Sequence, residues 1–95
     1  IKIGHDRKES VAHDQEVRIG DDDKLDVGNT LTITAGTKIT LKVGSSSITM
    51  DPTSIELKSL MITITADATA KLSSPLTTVE GSGILTLTGG LVKIN

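Results

Sequence analysis

The sequence contains no Phe, Tyr, Trp or Cys, and only two of its 95 residues are Pro. Without aromatic rings, and with 36% apolar residues, there is too little side-chain volume to fill a conventional monomeric core. The same absence removes any platform for stacking on nucleic-acid bases. Without Cys there are no disulfides, no thiolate nucleophile and no Cys-ligated zinc. Neither sign of charge dominates: 10 basic against 12 acidic residues give a net charge of −2, so no strong attraction to nucleic acid or anionic lipid is expected. No apolar run approaches the roughly 18 residues of a membrane span. The opening Ile1-Lys2-Ile3-Gly4 resembles neither a signal peptide nor a natural start, which leads us to expect a piece of a larger protein.

What is there is a repeat. Gly20, Gly28, Gly36 and Gly44 stand eight residues apart, Gly4 lies two periods before Gly20, and Ala12 fills the slot between. An apolar, polar, apolar triplet or a near version of it precedes each, as in Val17-Arg18-Ile19, Leu25-Asp26-Val27 and Leu41-Lys42-Val43. The triplet continues after the regular glycines stop, from Ile48-Thr49-Met50 through Ile62-Thr63-Ile64 to Val92-Lys93-Ile94, giving 13 copies at spacings of seven or eight. Of 26 flanking positions 24 are apolar, Glu9 and Thr77 being the exceptions, and all 13 middle positions are polar.

Alternation of period two places the flanking side chains on one face of an extended strand and the middle one on the other. A coiled coil would space its apolar positions three and four apart, and the Thr, Val and Ile content favours strands. Gly at the octad boundary, with Ser45-Ser46-Ser47, Asp51-Pro52-Thr53 and Ser73-Ser74-Pro75 elsewhere, supplies corners after strands of about five residues. Two arrangements fit: an antiparallel meander, or strands wound about an axis. Hairpins favour Asn-Gly or Asp-Gly, which this sequence lacks. A single-chain solenoid repeats over roughly 15 to 25 residues, whereas this unit is one strand long. The expectation is therefore an all-β, intertwined triple-stranded β-helix, a trimeric prism with the apolar pairs on its axis. It forms one shaft over residues 1–95, with octads over 1–47 and mixed seven- and eight-residue repeats over 48–95. Branched aliphatics suit so narrow an axis, and 13 layers at about 4.8 Å make a rod roughly 60 Å long.

These octads, the later units such as Ser47-Ile48-Thr49-Met50-Asp51-Pro52, and the ending Gly89-Gly90-Leu91-Val92-Lys93-Ile94-Asn95 resemble the C-terminal needle of VgrG-type spike proteins of type VI secretion. The central spike of contractile phage tails is similar in its octads. The resemblance implies a homotrimeric, membrane-piercing structural needle that is assembled in the cytoplasm and delivered to a target-cell envelope. It also implies a PAAR-repeat tip protein or effector seated on the C-terminal platform Leu91, Val92, Lys93, Ile94 and Asn95. The alternatives are a phage tail spike or fibre shaft in a virion, and a single-chain β-solenoid binding module with a Thr-rich face.

Chemistry-bearing residues are few. His5 and His13 occupy equivalent slots just past a corner, where exposed side chains are expected rather than a convergent metal site. Glu9 holds an inward slot, so three copies would meet at the axis and need protonation, water or a cation. Gln15 and Asp23 stand where Leu31 and Ile39 stand in later octads, so the first layers read as wetter inside. Asp21-Asp22-Asp23 lacks the spacing of a calcium loop. Lys42, Glu56 and Lys71 interrupt the outward row that a threonine ladder, hinted at by Thr30, Thr32 and Thr34, would require. Of 22 charged residues 13 lie within positions 1–26. No cofactor or metal site is expected, no nucleic-acid partner, and no catalytic constellation.

Overall fold

Sharp backbone bends recur along the chain at the period of the sequence repeat. In the computed structural model, which describes residues 4–95, they fall at 4–5, 12–13, 20–21, 28–29, 36–37, 44–45, 52–53, 60, 67–68, 75–76, 82–83 and 90–91. The triplet Ile1-Lys2-Ile3 lies outside the described residues. Three segments form strands and there is no helix among the described residues, so the assigned secondary structure is all-β. Corner chemistry varies with the local residues. At 75–76 the Ser74 hydroxyl donates to the Leu76 carbonyl and lies 3.1 Å from the Thr77 hydroxyl. At 82–83 the chain closes so tightly that a Cβ on Gly81 would sit 2.7 Å from the Ile84 carbonyl oxygen.

Three consecutive segments pair into one antiparallel sheet: β1 (Ile39–Val43), β2 (Ser46–Met50) and β3 (Ile55–Lys58), in that order. They carry three of the predicted triplets. Here the meander, which the lack of Asn-Gly and Asp-Gly argued against, is the arrangement formed within the chain. The reason is Gly44-Ser45. Gly44 has φ +57°, and no non-glycine residue among those described has positive φ. This is the Gly-first two-residue turn of type II′ character, whose twist matches that of its strands. The second connection, Asp51–Ser54, is built on one carboxylate. Asp51 Oδ1 accepts from the Thr53 and Ser54 amides at 3.0 and 2.9 Å and from their hydroxyls at 3.1 and 3.2 Å.

Register sorts the side chains as the alternation predicts. Leu41, Ile48 and Leu57 align across the sheet, as do Ile39, Met50 and Ile55, on one face. The other face carries the rows Lys42, Ser47, Lys58 and Thr40, Thr49, Glu56. Among the described residues none is buried and the apolar face stays partly exposed: Ile39 is its best-covered side chain, while Ile48 and Met50 remain 39% and 44% exposed. Outside the strands, one backbone-to-backbone hydrogen bond forms among the described residues, from Asp51 N to Ser54 O at 3.0 Å. The chain divides into two units, Ile1–Gly36 and Thr37–Asn95, and the sheet belongs to the second.

Candidate functional site

The largest chemical feature is the uncovered apolar stripe. The chain exposes 10612 Å², whereas a compact protein of its 9.9 kDa would expose about 5,200 Å². In the sheet the stripe deepens into an apolar hollow of about 250 Å³, lined by Leu41, Val43, Ile48, Leu57 and Ile62 among others. The Ser46 and Ser59 hydroxyls meet at 2.8 Å beside it. Such a surface offers shape and apolar area, together with extended backbone N–H and C=O groups free to form ladders with another chain.

At the C-terminal end the backbone bends at 90–91, and Leu91, Val92 and Ile94 are exposed, with Lys93 and Asn95 alternating between and after them. The bend brings the Val92 Cγ2 methyl within 3.5 Å of where a Gly89 Cβ would lie.

The titratable candidates are dispersed. His5 and His13 fall on the bends at 4–5 and 12–13 and are exposed, and Asp21, Asp22 and Asp23 are exposed around the bend at 20–21. Among the described residues no group of three or more His, Asp or Glu side chains converges as a metal site would. Glu9 has a partner that sequence reasoning overlooked: Arg7 Nη2 donates to Glu9 Oε2 at 2.8 Å. The signal was present in the two-residue spacing, which sets both side chains on one face of an extended segment. Glu16 and Arg18 pair in the same way at 2.8 Å. Asp51 is the described carboxyl with a clear shift: the Thr53 amide, then the Thr53 hydroxyl and the Ser54 amide, hold it below the usual carboxylate range.

No protein-family model matches the chain, and comparisons with characterised proteins and with solved structures find no significant match.

Proposed function

We propose that this chain is the shaft of a homotrimeric β-helical needle, the piercing element of a VgrG-like spike. Three copies place their apolar pairs on a common axis and their polar middle residues in solvent. The C-terminal end, Leu91 to Asn95, carries a PAAR-type tip and so helps deliver effectors into a target cell. The role is mechanical, and its basis is stiffness. Bending such a rod breaks main-chain ladders and an axial core in three chains together, and lateral closure leaves sheet edges only at the two ends.

The observation that carries this reading is the uncovered apolar surface: bends recur at the repeat period, β1 to β3 set their apolar side chains on one face, and no side chain among the described residues is buried. A single-chain solenoid buries that face inside its own coils. The absence of any buried side chain among the described residues therefore favours association over self-closure. The antiparallel meander of β1 to β3 sorts the same residues onto one face as the alternation in the sequence does. A phage tail spike shares this architecture and would differ in what delivers it, not in how the shaft holds together.

Sedimentation equilibrium tests the central claim. The expected mass is three times 9.9 kDa, about 30 kDa, and samples left unheated in SDS should migrate as trimers because undoing wound strands is slow. A reversible, concentration-independent melt of a monomer would overturn it.

A further inference from the structure

The repeat that builds the needle creates a problem of alignment. Val17 and Ile19, Leu25 and Val27, and Leu41 and Val43 occupy equivalent slots a whole number of octads apart, and such volume-conserving exchanges are tolerated in apolar cores. Within the octads over 1–47, one chain displaced by a whole octad would keep most of its apolar residues inward and its ladders paired. Apolar contacts alone thus specify register weakly.

The early octads differ: the second and third each carry one polar residue in the inward row, Gln15 and Asp23, and the first carries two charged ones, reading Arg7, Glu9, Val11 where the fifth reads Ile39, Leu41, Val43. Arg7 and Glu9, two residues apart between the bends at 4–5 and 12–13, are joined at 2.8 Å, with side chains 65% and 51% exposed. This contact uses one of the five guanidinium N–H donors and one carboxylate oxygen. The remaining donors and lone pairs need partners once three chains close around them.

We infer that Arg7 and Glu9 set the register of the three chains, forming a charge-neutral ring in which each guanidinium bridges its own Glu9 and a neighbour's. The inference rests on the trimeric reading. In register, three guanidinium and three carboxylate groups meet at one level and satisfy one another, and no cation is required to offset Glu9. A slip of one octad sets Arg7 and Glu9 level with the neighbours' Gln15 and Val17. The donors and lone pairs left over then face an amide and an aliphatic side chain, which compensate buried charge poorly. Fixing the register of a repetitive assembly is the best-attested use of buried polar groups.

Disulfide trapping in the full chain reads the register. Chains carrying Val11→Cys and chains carrying Val27→Cys, distinguished by a size tag, are co-assembled and oxidised. In register these inward sites lie two layers apart, about 9.6 Å along the axis, beyond the roughly 7 Å Cα separation a disulfide spans. A slip of one octad brings them one layer apart, about 4.8 Å. The expected result is no 11-to-27 crosslink on the native background. A strong crosslink should appear with Arg7→Leu and Glu9→Leu together, and disappear again with the charge swap Arg7→Glu and Glu9→Arg.

The inference is overturned if the double-leucine background gives the native crosslink pattern, or if the swap crosslinks as strongly as the double leucine. Loss of trimer in the double-leucine variant also overturns it, because the pair would then carry assembly rather than register. A native chain that sediments as a monomer overturns the trimeric reading and this inference with it.

Discussion

Ile48→Asp and Ser47→Asp are neighbouring substitutions for which the sheet register predicts opposite results. Ile48 is the middle of the row Leu41, Ile48, Leu57 on the apolar face, with 39% of its surface still exposed in the single chain. Covering that remainder in the assembly is worth about 1 kcal/mol per chain. The carboxylate is the larger effect. Three ionised groups cannot share a dry axis, so each must take up a proton on assembly. At pH 7, protonating a carboxyl of ordinary pKa near 3.9 costs about 4 kcal/mol, or about 13 kcal/mol per trimer. Together with about 3 kcal/mol of lost apolar burial across the trimer, this meets or exceeds the whole stability of a typical domain.

The pH dependence follows from the sign of the shift. Burial raises the introduced carboxyl's pKa in the assembly, so the penalty is fully present above the raised value. It shrinks as pH falls and is gone below the unfolded value of about 3.9. Ser47 instead lies between Lys42 and Lys58 on the polar face, where an added carboxylate gains about 0.2–1 kcal/mol per favourable cross-strand pair. Sedimentation equilibrium at pH 7 and at about pH 3.5 should show Ile48→Asp monomeric at neutral pH with partial recovery in acid, and Ser47→Asp trimeric at neutral pH. Equal behaviour of the two variants at pH 7 would refute the assignment of faces.

Gly44→Ala should lower the thermal midpoint, because φ +57° with nothing within 4 Å leaves a purely conformational cost of about 1–2 kcal/mol. Gly20→Ala, also with open space and without positive φ, should shift stability by less than about 0.5 kcal/mol; matching midpoints for the two would contradict the II′ turn. The Asp51 loop should loosen in acid. Its lowered pKa means the contribution is present above the ordinary carboxylate pKa and is lost as pH falls through the lower folded value. Amide exchange at Thr53 and Ser54 should therefore quicken on acidification in the native chain but stay nearly flat with pH, after correction for intrinsic exchange, in Asp51→Asn. Deleting Leu91 to Asn95, or combining Val92→Asp with Ile94→Asp, should abolish capture of a PAAR-type tip while the shaft stays trimeric; undiminished capture would move the platform elsewhere.

The local periodicity was legible before any coordinates. The two-residue alternation in Leu41-Lys42-Val43 or Ile55-Glu56-Leu57 settles which side chains share a face, since successive residues of an extended chain point oppositely whatever their partners. The corner positions were legible for the same reason: Gly36, Gly44 and Asp51-Pro52-Thr53 act through their own backbone preferences and side-chain hydrogen bonds. Strand pairing was not legible. Neighbouring segments carry nearly the same pattern, so any one of them is a chemically acceptable ladder partner for any other, within the chain or outside it. The tertiary structure decided that β1, β2 and β3 pair with one another, because Gly44 takes positive φ and Asp51 Oδ1 gathers four donors, closing two reversals that composition does not rank. It likewise decided that Arg7 turns to Glu9, because the spacing permits that contact and only the side-chain geometry makes it.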